Sequence, residues 1–377
     1  METSVKYIDS LTPMRGLAAL WVMLFHIDVS LFYRDMGALL SRDQTGILSH
    51  GYLWVDFFFV LSGFIMAHVF GGQLAGPGKL RHVLDYLWAR LARIYPLHLF
   101  CLALVVLIAV VYPVVIPNLK DGSWETFMAW KAIPSNLFLT HAMNQHVYLS
   151  WDIVSWSIGA EWWTYVLTVP ALIWLNRAPP WIGMLVMGVG FVGLAALVYA
   201  LPDKTLDITY NYGFVRCLCE FVIGLGLYRL YQAGWAKGLA HDGLVMVLLA
   251  MIASVFHFKL NDLLIVPIFA ALILGVSTNS GVFHRALQLR PLQYIGRISY
   301  SLYLVHGVIF SALWFLLPWY KSHVHPAVFD TLEKLGYMAL FITLVFAISH
   351  LTYSYIERPA RLFLLKLRTD GASGIHI

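Results

Sequence analysis

Apolar residues run through this chain in long stretches of about twenty, separated by short polar segments. A helix of that length, rising 1.5 Å per residue, spans the roughly 30 Å apolar core of a bilayer. The pattern predicts about ten spanning helices, near residues 14–34, 51–71, 95–115, 156–176, 181–200, 214–232, 242–259, 262–279, 295–317 and 335–356. The loops between them are short, except for about 40 residues from 116 to 155. No internal repeat marks two transporter-like halves. One segment differs in kind. Residues 79–95, KLRHVLDYLWARLARIY, carry Val83, Leu84, Leu87, Leu91 and Ile94 at helical spacing among Arg81, His82, Arg90 and Arg93. This predicts a cytoplasmic interfacial helix, read either as a headgroup anchor or as a pair of arginines, Arg90 and Arg93, one turn apart and facing an anionic ligand.

Composition agrees with a membrane protein. Of 377 residues 60% are hydrophobic and 12% charged, and mean hydropathy is +0.74, where a soluble domain is about a quarter charged. The net charge of +5 reads as topology and not as nucleic-acid affinity. With the N-terminus inside, sixteen of the twenty-five basic residues, Lys6, Arg15, Lys79, Arg90 and Arg93 among them, fall on the cytoplasmic side. Ten spans then place both termini in the cytoplasm. The fold expected is an all-α polytopic bundle forming one membrane domain, residues 1–377, with no appended soluble domain. Cys101, Cys217 and Cys219 sit in apolar runs and read as packing residues.

Polar groups inside the spans carry the candidate chemistry, because each must be satisfied within the bundle or serve a function. His26 lies eleven residues after Arg15, roughly 16 Å further along the first helix. His306 reaches a similar depth in the ninth, as a satisfied core histidine or as part of a site. Arg216 and Glu220, four apart, read as an ion pair along one helix. Asp56 and Glu161 have no basic residue near them in their own helices. They must find partners on others, and the histidines are the expected ones. A carboxylate so placed fixes an imidazole's tautomer and raises its basicity, as a general base requires.

Several motifs recur together in order: Arg15 and His26 with ten residues between them in the first helix, VDFFFVLSGF at 55–64, RLAR at 90–93, WSIGAE at 156–161, GRISYSLYLVH at 296–306 and ERP at 357–359. On these the chain resembles the acyltransferase-3 family of integral membrane O-acyltransferases, over residues 8 to 364. Gly159 and Ala160 depart from the bulkier or acidic residues that many members place before the glutamate.

The resemblance implies transfer of an acyl group, acetyl by default, from cytoplasmic acyl-CoA to a hydroxyl of a cell-surface or secreted glycan, at the bacterial inner membrane. It implies acyl-CoA as co-substrate, no tightly bound cofactor, a glycan or lipid-linked saccharide as acceptor, and no nucleic-acid partner. Arg15, Arg90 and Arg93 would hold the donor. His26 would act as general base, with Asp56 or Glu161 orienting it or binding the sugar. An acyl-His26 intermediate is the variant mechanism. Ser62, Tyr300, Tyr303 and His306 would line the cavity. Trp162 and Trp163 would stack on sugar rings, unless they belong to the interfacial aromatic belt. No metal-ligand spacing is present in the sequence. The rival reading is a proton-coupled transporter or flippase of a lipid-linked sugar. The acceptor's identity, acetyl against succinyl, and the oligomeric state are not encoded in these motifs.

Overall fold

The computed structural model describes residues 7–369 apart from 75, 77, 117, 118 and 326, so Lys6 of the topology count lies outside the described residues, as does the side chain of Lys79. Every described element is helical. The helices of seven residues or more are α1 (Leu11–Tyr33), α2 (Trp54–Leu74), α3 (Lys79–Val115), α4 (Trp156–Leu167), α5 (Val169–Leu175), α6 (Pro180–Ala200), α7 (Gly213–Gln232), α8 (Asp242–His257), α9 (Ile265–Thr278), α10 (Arg290–Arg297), α11 (Ser299–His323), α12 (Thr331–Thr352) and α13 (Arg358–Thr369). Six of the helical stretches are long and apolar enough to cross a membrane: α1, Gly51–Leu74, Leu80–Val115, α6, α11, and Thr331–Arg368, which joins α12 and α13.

The other four predicted spans are helical but fall short of that standard for separate reasons. The segment 156–176 is divided at Thr168, two residues before Pro170, between α4 and α5. α7 carries Arg216, Glu220 and Arg229. α8 and α9 have 16 and 14 residues, about 24 and 21 Å of helix, less than the apolar core is thick. The interfacial helix at 79–95 is not a separate element. It is the first half of α3, which runs 37 residues, with Pro96 inside it, as one helix of about 55 Å.

Close backbone contacts fix the bundle's centre. α2 and α7 meet at Gly63 and Gly224, where an added Cβ would lie 2.0 Å from the carbonyl oxygens of Phe221 and Val60 respectively. α1 meets α10 at Gly16 and Gly296, and a Cβ on Gly296 would lie 2.3 Å from the Thr12 carbonyl. Small residues let helices approach this closely where lipid supplies no hydrophobic drive. The long loop before α4 is anchored at both ends. Arg34 pairs with Asp121 at 2.5 Å and lies 4.0 Å over the Trp314 ring. Trp151 is fully buried, and its indole N–H donates to Ala129 at 3.0 Å.

Candidate active site

Two chambers share a wall. The wider, about 1060 Å³, is lined by Arg15, Arg81, Arg90, Arg93, Arg297, Arg358, Arg361 and Arg368, with Asp85 and Glu357 the only carboxylates on its wall among the described residues. The narrower, about 150 Å³, is lined by Ser62, Glu161, Tyr165, Ser157, Tyr300 and Tyr303, and it shares Arg15, Arg90, Arg93, Ile65 and Met66 with the first. Eight guanidiniums against two carboxylates suit a polyanion, since a guanidinium fork matches phosphate and stays charged.

The helix contacts place these arginines. The glycine contact between α1 and α10 brings Arg15 to the start of α11, where its Nη2 donates to Ser299 at 3.1 Å. On α3, Arg93 pairs with Glu357, which also accepts from the Ser301 hydroxyl at 2.6 Å. Glu357 ends a π-helical turn, Tyr353–Glu357, between α12 and α13. Such turns shift a helix's register by one residue and concentrate at functional sites. Arg93 also lies 5.1 Å over Tyr300, whose hydroxyl donates to the Ile94 carbonyl at 2.6 Å. Arg90, one turn earlier, lies 4.9 Å over Phe70, and its buried Nε has no hydrogen-bond partner among the described residues. Arg90 and Arg93 therefore share a chamber but are held differently, one by a carboxylate and one by a ring.

In the narrow chamber the Ser62 hydroxyl donates to Glu161. Tyr303 is bonded to Ser157 at 2.8 Å. The Phe58 and Tyr303 rings meet edge to face, 5.8 Å apart, on its wall. The Tyr303 ring is 5.4 Å from that of His306, which in turn is 4.9 Å from that of His26. His26 lines neither chamber.

The two histidines that sequence placed at one depth are in contact. Each ring has Nδ1 facing a carbonyl one turn back, His26 to Val22 at 2.9 Å and His306 to Leu302 at 3.1 Å. A carbonyl only accepts, so both rings are assigned from this pattern as Nδ1–H tautomers. That leaves the Nε2 lone pair of His26 without a donor among the described residues. The Nε2 of His306 lies 3.3 Å from His26 Nδ1.

The expected acid–imidazole contacts are absent among the described residues. Asp56 is fully buried and accepts both prongs of the Arg216 guanidinium, Nε at 2.9 Å and Nη2 at 2.7 Å. Glu220, the partner expected for Arg216, stands at 3.7 Å. A two-pronged charged pair between α7 and α2 wins over the i,i+4 pair because both donors align with one carboxylate. Arg216 lines neither chamber. Trp162 and Trp163 are half-buried, and the Trp163 indole donates to the Phe138 carbonyl at 3.2 Å. Sequence reasoning gave no role to Ser299, Tyr165, Arg361 or Glu357. The ERP motif was the one available signal for the last of these.

Comparison with known proteins follows the same residues. The acyltransferase-3 family model, described as an acyltransferase domain, matches residues 8–354, from the start of α1 through α12 and into the π-helical turn. The chain belongs to the acyltransferase-3 family. This acyltransferase is 26% identical over 341 residues to the acyltransferase MdmB of Streptomyces mycarofaciens, covering 82% of this chain and 80% of that protein. It is 22% identical to the peptidoglycan O-acetyltransferase OatA of Listeria monocytogenes and to the O-acetyltransferase OatA of Staphylococcus aureus, in both cases over 95% of this chain. It spans only 56% and 58% of the length of those two proteins. No solved structure matches the acyltransferase.

Proposed function

We propose that this acyltransferase moves an acetyl group from cytoplasmic acyl-CoA to a hydroxyl of a cell-surface or secreted glycan, in the bacterial inner membrane, with ten spans and both termini cytoplasmic. The observation that carries the reading is the opening of an eight-arginine chamber onto a narrow one holding Ser62 and Glu161. The wide chamber fits the phosphates of CoA, and the narrow one fits a thioester arm. The names of the OatA relatives support O-acetylation as the reaction.

His26 serves as the base in this reading. Its Nε2 takes the acceptor hydroxyl proton while the acceptor oxygen attacks the thioester carbon. His26 lines neither chamber, so in this reading side chains on the narrow chamber's wall move for the thioester to meet it. In this reading Glu161, which accepts from Ser62, binds the acceptor's other hydroxyls. Asp56 acts through the fold, by holding Arg216.

Membrane vesicles charged with radiolabelled acetyl-CoA and an extract of lipid-linked saccharides test the proposal. Wild type is expected to transfer label to glycan, and His26→Gln to lose at least about 100-fold in rate, the usual contribution of a general base. Unlabelled flux of the saccharide with no acetylation would overturn the proposal in favour of a transporter.

A further inference from the structure

We propose that His306 is the positioning partner of His26, taking the Nδ1 proton of His26 as its Nε2 removes the proton of the acceptor hydroxyl. The inference rests on the reading of His26 as base and adds a partner to it.

The geometry supports a directed pair. The Leu302 carbonyl fixes the proton of His306 on Nδ1 and so turns a bare Nε2 toward His26 Nδ1 at 3.3 Å. The Val22 carbonyl likewise fixes the proton of His26 on Nδ1, which makes that N–H a shared donor to Val22 and His306. Neither ring is free to turn. His26 is flanked by Phe25 at 4.9 Å and Phe310 at 5.5 Å, and His306 is fully buried. Among the described residues no carboxylate is hydrogen-bonded to either ring: Asp56 holds Arg216, Glu161 accepts from Ser62, and the buried Asp152 lies against the backbone of Gly307 without a bond to His306. A positive charge forming on His26 therefore has no counter-ion in contact, and in a medium of low dielectric an isolated charge is costly. A second neutral imidazole, with its lone pair already aimed, takes over part of that charge.

The proton balance closes. The acceptor O–H bond breaks as the oxygen bonds the acyl carbon, and its proton goes to His26 Nε2. The His26 Nδ1 proton shifts to His306 Nε2. As the carbon–sulfur bond breaks, the shift reverses, and the Nε2 proton of His26 passes to the leaving thiolate. Both histidines end as they began.

Two measurements test this. In ¹⁵N-histidine-labelled protein in lipid, wild-type His306 is expected to carry its proton on Nδ1, and a His306 protonated on Nε2 would overturn the proposal whatever the activity. In transfer kinetics, His306→Gln keeps an acceptor for the Nδ1–H but cannot take its proton. It is expected to lower kcat about tenfold with KM for acetyl-CoA within about twofold, and His306→Phe about 100-fold, at unchanged folded yield by size exclusion. Equal kcat in wild type and a folded His306→Gln would overturn it. A wild type that transfers nothing while His306 keeps the Nδ1 proton overturns the functional reading instead, and the proton path with it.

Discussion

Arg90 and Arg93 are one turn apart on α3, yet their surroundings predict different consequences of removal. Arg93 is bound to the buried carboxylate of Glu357, whereas Arg90 has no carboxylate partner among the described residues. Hydrogen bonds to a charged group are worth about 1.5–3 kcal/mol, so either loss weakens donor affinity by about 10- to 150-fold. Only Arg93→Ala also strands a buried charge, which costs about 3–5 kcal/mol of stability. Titration with acetyl-CoA beside thermal unfolding separates the two. A fall in melting temperature for Arg90→Ala as large as that for Arg93→Ala would contradict the account. At this scale the sequence was informative about depth and silent about partners. The counts from Arg15 to His26 and along the ninth span set two imidazoles at one level, and they touch. Asp56 could not be paired in advance, because spacing along one helix says nothing about which guanidinium on another helix faces it.

The α2–α7 contact is the element-scale counterpart. Gly224→Ala would drive a methyl into the Val60 carbonyl and is expected to cost about 1–3 kcal/mol or more. Gly188→Ala on α6 has open space around the new Cβ and is expected to leave the melting temperature unchanged. The Asp56–Arg216 pair joins the same two helices. Asp56→Leu alone is expected to destabilise by about 3–5 kcal/mol, and Asp56→Leu/Arg216→Met to recover much of that loss, as isosteric apolar replacement of buried pairs does. If the double variant unfolds at the same temperature as Asp56→Leu, the pair is not what Asp56 contributes. Long apolar helices were legible because hydropathy reports them directly. The merging of 79–95 into α3 was not, since an amphipathic stretch and the apolar stretch after it read as two elements until packing joins them across Pro96. The π-helical turn that aims Glu357 at Arg93 leaves no periodic signature either.

For the whole molecule, the arrangement is an arginine-lined chamber at one depth and a pair of imidazoles further along α1 and α11. These helices run in the same direction, since Arg15 meets Ser299 and His26 meets His306. The family was legible from six motifs in order. The chamber was legible only as scattered arginines, because Arg297, Arg358, Arg361 and Arg368 come from α10 and α13, more than two hundred residues beyond Arg15 in the chain. The most direct test is equilibrium binding of radiolabelled acetyl-CoA to the purified protein in detergent, with wild type, Arg90→Ala and His26→Ala side by side. The account predicts saturable binding to wild type, the same affinity for His26→Ala, and affinity weaker by about tenfold or more for Arg90→Ala. Wild-type protein without saturable binding, or an Arg90→Ala variant that binds as wild type does, would contradict it.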